Sequence, residues 1–238
     1  MKPIIQVENL NFAYKKGEPI LEDVNFLVNN GEILGITGSS GSGKTTLLYI
    51  LKGIIPHLIK GKLKGNIIIH QMDIKTTKIS KLAHSVGMVF QDLNTQLFSN
   101  TVREEVEFGL RNLKMDPALA NNAMEELHIS DLANKAPLNL SMGQKQRVIL
   151  ASIIAMQPKI LLLDEPSVHL DSKNRIDLKN WLLELNENKS MTILIASNDS
   201  WLIGNMCNEV FHIEGRKVTR KSRSELIEKQ SEWVWKNL

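Results

Sequence analysis

The sequence predicts an α/β fold, in which helices cover a mostly parallel sheet. Residues 160–163 form a wholly apolar run that ends at Asp164, which is typical of a central parallel strand buried on both faces. Apolar runs with strand character alternate along the chain with segments whose apolar residues recur at helical spacing. A glycine-rich loop at residues 38–43 separates one such strand from one such helix. Together these features favour strand–helix units over an all-helical or all-β arrangement.

The N-terminal part is predicted to begin with an antiparallel β meander. Residues 4–14 and 19–27 alternate apolar and polar side chains, and residues 29–31 (Asn-Asn-Gly) provide turn chemistry before a strand at 32–37. After the glycine-rich loop, a helix over residues 45–52 ends at Gly53, with Pro56 just beyond. The first strand–loop–helix unit therefore lies within residues 32–52.

The remainder alternates in the same way. Strands are predicted at residues 66–70 and 85–90, and a helical stretch at 101–133 carries glutamates on its polar positions, among them Glu104, Glu105 and Glu107. A helix over 141–156 opens with a capping box from Ser141 to Gln144. Helical spacing at 178–185, a strand at 191–196, a short helix from Asp199 and a strand at 210–213 follow. We expect one domain over residues 1–238, with a helical subdomain at about 92–157 inserted between the glycine-rich loop and the strand ending at Asp164.

Composition and charge exclude several classes of protein. Of the 238 residues 42% are hydrophobic and 23% charged, as in globular domains, and the single cysteine, Cys207, allows no internal disulfide. The N-terminus becomes polar too soon for a signal peptide, and the longest apolar stretch, residues 148–156, is about half of the roughly 20 needed to cross a bilayer. We therefore expect a reducing compartment and at most a peripheral membrane role.

The net charge of +3 is too small to indicate a nucleic-acid partner. The one basic cluster contains Arg216, Lys217, Arg220, Lys221 and Arg223. We interpret this cluster as a solvated turn and helix start, because charge runs usually face solvent.

The glycine-rich loop fits the pattern of a phosphate-binding loop. It consists of Gly38, Ser39, Ser40, Gly41, Ser42, Gly43, Lys44 and Thr45, and Thr46 follows. Glycines let backbone N–H groups turn toward phosphate oxygens, Lys44 supplies a charge for the β- and γ-phosphates, and Thr45 offers a hydroxyl to Mg²⁺. The dipole of the following helix adds to the attraction for an anion. Because the pattern lies between a predicted strand and a predicted helix, an incidental Gly/Ser-rich turn is the weaker interpretation.

Two carboxylates follow the apolar strand at the edge where α/β sheets bind ligands. We expect Asp164 to hold Mg²⁺ through its water shell and Glu165 to accept a proton from the water that attacks the γ-phosphate. An isolated Asp-Glu pair is usually a solvated strand end, but a phosphate-binding loop in the same chain favours the functional interpretation.

The segment Leu140-Ser141-Met142-Gly143-Gln144 resembles the signature motif of ABC-type ATPases, in which Leu-Ser-Gly-Gly-Gln is usual. The resemblance covers essentially the whole chain and implies a phosphate-loop NTPase core of that type. It also implies that two such domains pair head to tail, with Ser141, Gly143 and Gln144 meeting the γ-phosphate bound to the partner. Tyr14 matches the aromatic that stacks on adenine, and Gln91 matches the glutamine that contacts Mg²⁺ or the attacking water. Leu170-Asp171 resembles the loop that communicates across the dimer, and His169 there is interpreted as a bystander, with a contact across the dimer as the alternative.

Residues 90–99 and 101–110 are similar to the corresponding segment of energy-coupling factor ATPases, as are residues 53–65. One departure is Asp92-Leu93, where Asn-Pro is common. The resemblance implies uptake of vitamins or transition metals, a transmembrane scaffold whose coupling helix sits in a groove of this segment, and a separate substrate-binding membrane protein. Asp92, Glu104, Glu105 and Glu107 are candidates to meet arginines of the scaffold, although a solvated helix face explains the three glutamates equally well.

Ser197-Asn198-Asp199 stands where the family usually has Thr-His-Asp, so Asn198 takes the place of a switch histidine. An asparagine amide donates a hydrogen bond but carries no charge. We therefore expect ATP and Mg²⁺ binding, with slow hydrolysis at this chain's own site and a paralogue as the second ATPase subunit. The expected location is the cytoplasmic face of the cell membrane. The alternatives are a soluble ABC ATPase without a transporter and a regulatory ATP-binding subunit with little turnover.

Overall fold

A computed structural model describes residues 2–15, 17–222 and 225 of the chain. The strands in this part are β1 (Ile5–Tyr14), β2 (Pro19–Val28), β3 (Ile33–Thr37), β4 (Gly61–Ile69), β5 (Met72–Asp73), β6 (Val86–Val89), β7 (Ile160–Asp164), β8 (Thr192–Ala196), β9 (Glu209–Glu214) and β10 (Lys217–Ser222). The helices are α1 (Lys44–Lys52), α2 (Ile54–His57), α3 (Ile79–Ala83), α4 (Val102–Leu113), α5 (Leu119–Glu126), α6 (Met142–Ile154), α7 (Ser172–Lys189) and α8 (Ser200–Met206). Short 3₁₀ turns lie at Leu93–Gln96, Ser130–Leu132 and Pro137–Asn139. The α/β class predicted from the sequence is confirmed.

The N-terminal strands form an antiparallel sheet in the order β2-β1-β4-β5. β1 is paired on both sides, with β2 and with β4, so the predicted antiparallel strands are present. β4 begins at Gly61, five residues before the predicted start at residue 66. The prediction missed these residues because exposed Lys62 and Lys64 alternate there with residues that are only partly buried. An amphipathic pattern that is so polar does not reveal a strand in the sequence.

The second sheet has the order β10-β9-β3-β8-β7-β6. β3 pairs in parallel with β8 and β9, and β7 pairs in parallel with β6 and β8. Every residue of β7 is buried, as predicted for a central strand. Because parallel strands end at the same edge, the residues that follow β3, β7 and β8 meet there.

For the basic cluster near the C-terminus, the predicted turn is present, whereas the predicted helix start is wrong for the residues that follow the turn. Arg216 does lie in a turn, at φ 70°, but Lys217–Ser222 forms the edge strand β10, antiparallel to β9. Charged side chains suit an edge strand because they discourage pairing with other chains. The Arg220 guanidinium pairs with Glu209 and Glu32. Arg223 lies outside the described residues.

The helical stretch predicted over 101–133 is interrupted. α4 ends at Leu113, its C-cap Lys114 adopts a left-handed conformation, and Pro117 follows before α5. Glu105, expected either to meet the scaffold or to lie on a solvated helix face, is 4% exposed. Its Oε2 accepts hydrogen bonds from the backbone N–H groups of Phe98 (3.0 Å) and Ser99 (2.9 Å). The acid is therefore used to hold the loop that precedes α4.

Alternate residues of the parallel strands enter two hydrophobic cores. Leu161 and Ile193 join the core formed with α4 to α8, whereas Leu162 and Leu194 join the core shared with α1 and the antiparallel sheet. This alternation places α1 on one face of the parallel sheet and α6 on the other. Within the described part of the chain, every helix is too short or too polar to cross a membrane.

Candidate active site

The loop between β3 and α1 has a backbone that only glycine tolerates at two points. Gly43 lies at φ 108°, in the left-handed region. A Cβ atom on Gly38 would lie 2.6 Å from the carbonyl oxygen of Ile213. The loop therefore folds tightly against the end of β9 and turns directly into α1.

The N-terminus of α1 is arranged to receive an anion. Its N-cap is Gly43, which has no side chain to engage the first-turn N–H groups, whereas side chains cap α4, α6, α7 and α8. The Ser42 hydroxyl is buried and has no hydrogen-bond partner. Unengaged N–H groups and an unpaired hydroxyl fit the oxygens of a phosphate group.

Lys44 places a positive charge inside this loop. The residue is 7% exposed, and its Nζ donates to the carbonyl oxygens of Gly38 (2.9 Å) and Ser39 (3.4 Å). The same Nζ lies 3.8 Å from Glu165 Oε1. The ammonium group thus joins the phosphate-binding loop to the carboxylate after β7.

Thr45 and Asp164 form the second link between α1 and β7. The Thr45 hydroxyl donates to Asp164 Oδ1 at 3.1 Å, and Asp164 is 2% exposed. Burial raises the pKa of Asp164 from its ordinary value, and the hydrogen bond from Thr45 opposes that effect. A nearby cation would favour the charged carboxylate.

A cleft of about 620 Å³ opens beside this pair. Its lining residues are Thr45, Tyr49, Phe90, Gln91, Asp92, Thr95, Asp164 and His169. No group of three or more His, Cys, Asp or Glu among the described residues could hold a metal by itself. The hydroxyl, carboxylate and amide oxygens of Thr45, Asp164 and Gln91 fit Mg²⁺, which usually keeps waters or phosphate oxygens among its ligands.

Glu165 is oriented by the segment that follows β8. Its φ is 45°, and its backbone N–H donates to the Ala196 carbonyl at 2.7 Å. Its Oε2 accepts from the Ser197 hydroxyl (2.9 Å) and from the Asn198 backbone N–H (3.3 Å). The structure therefore brings Asn198 beside Glu165 through its backbone, while the residue itself is exposed.

Tyr14 and Thr46 are in contact across the edge of the antiparallel sheet. The Tyr14 hydroxyl lies 3.1 Å from Thr46 Oγ1, and the ring packs edge-on against Phe12 with centroids 4.9 Å apart. Tyr14 is 36% exposed. An accessible aromatic ring thus stands beside the first turn of α1. Ser39 and Ser40 are exposed in the loop itself.

The residues of the signature-like segment lie at the start of α6, outside the cleft. The Ser141 hydroxyl accepts from the Gln144 N–H (3.4 Å) and the Gln144 side chain accepts from the Ser141 N–H (3.1 Å), so the predicted capping box is present at the start of α6. Gly143 is buried against Asn174 of α7. Ser141, Gly143 and Gln144 are not among the residues that line the cleft.

Sequence reasoning missed several residues at the site, among them Tyr49 and Gln96. Tyr49 lines the cleft one helical turn after Thr45, a spacing that predicts a shared helix face. The side chain of Gln96 accepts from the Phe90 N–H (2.7 Å) and donates to the Met88 carbonyl (3.1 Å), which holds the chain leading to Gln91. No pattern in the sequence indicates the contacts of Gln96.

Comparisons with known proteins agree with this geometry. A profile of the ABC transporter family matches residues 21–168. The energy-coupling factor transporter ATP-binding protein EcfA2 of Caldanaerobacter subterraneus subsp. tengcongensis is 41% identical over an alignment of 206 residues that covers 82% of this chain and 70% of that protein.

Two solved structures are similar over most of their length. CbiO1 of Clostridium perfringens, described as part of the ABC transporter complex CbiONQ, superposes with a TM-score of 0.85 at 33% identity, covering 97% of this chain and 92% of that one. A dimeric ATP-binding cassette in a post-hydrolysis state with ADP and Pi superposes with a TM-score of 0.79 at 28% identity, covering 92% of this chain and 98% of that one. With a glycine-rich loop of the phosphate-binding pattern, a paired Asp164-Glu165 and a family profile over residues 21–168, the chain belongs to the ABC transporter ATP-binding family and is similar to its energy-coupling factor ATPases.

Proposed function

We propose that this chain binds ATP with Mg²⁺ and that its hydrolysis of ATP powers a membrane importer of the energy-coupling factor type. The observation that carries the proposal is that Lys44, Thr45, Asp164 and Glu165 converge at one edge of the parallel sheet. The 41% identity to an energy-coupling factor ATPase supports the type of transporter. Vitamins or transition metals are the proposed cargo.

Each residue at the edge has a separate task. The loop N–H groups and Lys44 bind the β- and γ-phosphates, and Tyr14 stacks on the adenine ring. Glu165 accepts a proton from the water whose oxygen attacks the γ-phosphorus, and the bond to the β-phosphate oxygen breaks as ADP leaves. Thr45, Asp164 and Gln91 would hold Mg²⁺, which would supply positive charge next to the phosphates.

The start of α6 serves a partner subunit. The capping box engages the N–H groups of Ser141 and Gln144, so those of Met142 and Gly143 and the positive end of the helix dipole are the groups that suit the γ-phosphate bound to another ATPase domain. Their absence from the lining of this chain's own cleft supports a role in trans. A relative of known structure was solved as a dimer with ADP and Pi, which supports nucleotide-driven pairing. A paralogue is the proposed partner.

The helical subdomain of about 92–157 is proposed to dock on a transmembrane scaffold, at the cytoplasmic face of the membrane, beside a separate substrate-binding membrane protein. Phe98 and Phe108 form an edge-to-face pair with centroids 4.6 Å apart, yet they are 60% and 46% exposed. Large exposed aromatic residues indicate a protein contact. CbiO1, which is similar over the same region, is part of a membrane transporter complex.

A regulatory subunit that holds ATP with little turnover is the second candidate function. Asn198 favours it, because an amide at this position beside Glu165 supplies no positive charge to the transition state.

Lys44→Ala and Glu165→Gln test the proposed site together. Lys44→Ala removes the ammonium group that would bind the phosphates, so we expect loss of ATP binding. Glu165→Gln keeps this ammonium group but removes the carboxylate that accepts the proton, so we expect ATP to bind and the closed dimer to accumulate. Equilibrium binding of a fluorescent ATP analogue and gel filtration with ATP and Mg²⁺ give the two readouts. Unchanged nucleotide affinity in Lys44→Ala would refute the assignment of the loop.

A further inference from the structure

We propose that Ser197 is a positioning residue that aims the Glu165 carboxylate, and that an Arg175–Asp199 pair holds Ser197 in place. This inference rests on the proposed role of Glu165 as the base. Ser197 belongs neither to the glycine-rich loop nor to the signature-like segment.

The two oxygens of Glu165 face different neighbours. Oε2 accepts from the Ser197 hydroxyl at 2.9 Å and from the Asn198 N–H at 3.3 Å, while Oε1 lies 3.8 Å from Lys44 Nζ. The side chain is only 14% exposed, so water does little to orient it. Without an anchor on Oε2, attraction to Lys44 would draw the carboxylate into the loop.

The direction of the Ser197 hydrogen bond follows from its partners. An ionised carboxylate only accepts hydrogen bonds, so the Ser197 hydroxyl must donate its proton to Glu165. The same oxygen then accepts from the Asp199 backbone N–H at 3.0 Å. Ser197 is 0% exposed, so no solvent competes for either bond.

Asp199 is itself held from three sides. Arg175 of α7 donates through one amino nitrogen to both carboxylate oxygens, at 2.6 and 2.7 Å, and the Ser167 hydroxyl donates at 2.7 Å. Asp199 also caps α8 by accepting from Trp201 N–H at 3.1 Å. These contacts fix the backbone N–H that orients Ser197.

The contribution of Ser197 is separable from that of the Asp199 contacts. The bonds from Arg175 and Ser167 do not involve the Ser197 hydroxyl, so they remain in Ser197→Ala. That substitution removes only the donor to Glu165 Oε2 and the acceptor for one N–H. Ser197→Thr keeps the hydroxyl.

The kinetic test compares three variants. We expect Ser197→Ala to lower kcat for ATP about tenfold or more, because misplacing a reacting group is costly, while KM changes little. Ser197→Thr should restore kcat. The matched control is Ser85→Ala, a buried serine bonded to His70 at 2.9 Å before β6, at the opposite edge of the sheet. An unchanged kcat in Ser197→Ala, or a threonine variant as slow as the alanine variant, would overturn the proposal.

A structural test does not depend on turnover. In a crystal structure of Ser197→Ala we expect the Glu165 carboxylate to leave the Asn198 N–H and approach Lys44, and in Ser197→Thr we expect it to stay. A carboxylate that keeps its position in Ser197→Ala refutes the positioning role. If the wild-type protein hydrolyses no ATP, the proposed function fails, and the crystal structures still decide the role of Ser197.

Discussion

At the scale of single residues, Asn198 is the residue that leads us to expect slow ATP hydrolysis. Its backbone N–H contacts Glu165, but its side chain offers an amide at the position where the resemblance to ABC-type ATPases implies a histidine. Losing a hydrogen-bond donor from an electrostatically organised phosphoryl site costs about 3 kcal/mol, or a hundredfold or more in rate. We therefore expect the isolated chain to be a poor ATPase and Asn198→His to raise its turnover at least tenfold.

Steady-state ATPase assays on the purified chain measure this effect. Asn205→His is the matched control, because Asn205 is an exposed asparagine of α8 whose amide donates to the Trp201 carbonyl. Turnover should not change in the control. Rapid hydrolysis by the wild-type homodimer that Asn198→Ala leaves undiminished would show that this position is dispensable and that an asymmetric pair is unnecessary.

At the scale of elements, Glu105 decides how α4 is joined to the preceding loop. Its carboxylate accepts two backbone hydrogen bonds, from Phe98 and Ser99, although a charge at this position looks like part of a solvated face in the sequence. Glu105→Ala leaves both N–H groups without their acceptor. We expect a loss of about 2 kcal/mol in the free energy of unfolding.

Urea denaturation measures this loss, and Glu107→Ala is the matched control on the same helix. Glu107 makes only ion pairs, at 3.9 Å with Arg103 and 3.5 Å with Arg111, both of which are half-exposed. Such pairs contribute about 1 kcal/mol or less. Equal losses in the two variants would mean that the buried hydrogen bonds of Glu105 do not stabilise the loop.

At the scale of the whole molecule, the proposed contact with the scaffold is tested at Phe98 and Phe108, which are exposed, because Glu105 is buried and cannot reach a partner. Phe98→Ser with Phe108→Ser should weaken co-purification with the transmembrane scaffold from detergent-solubilised membranes at least tenfold, because exposed aromatic contacts carry much of the affinity at interfaces. The affinity of the isolated chain for ATP should not change.

Leu58→Ser is the control, since Leu58 is 69% exposed but follows α2 and is not part of the proposed helical subdomain of about 92–157. This variant should retain the scaffold. If the Phe98→Ser, Phe108→Ser variant also retains the scaffold, these two residues are not part of the docking surface.

The sequence alone determined the chemistry that is local along the chain. The loop from Gly38 to Thr45, the buried strand before Asp164 and the capping box at Ser141 all appear in the structure where the patterns predict them. These patterns are informative because glycine conformations, two-sided burial and helix capping each depend on a few neighbouring residues.

Only the tertiary structure decided which distant segments meet. The order β3-β8-β7 places Lys44, Glu165 and Ser197 side by side, and the same packing buries Glu105 and makes Lys217–Ser222 an edge strand. Hydrophobic periodicity shows which face of an element is buried but not which element covers it. For that reason the positions of the phosphate-binding loop and the carboxylates were predictable, whereas the bond from Ser197 to Glu165 and the interruption of the helical stretch at Lys114 were not.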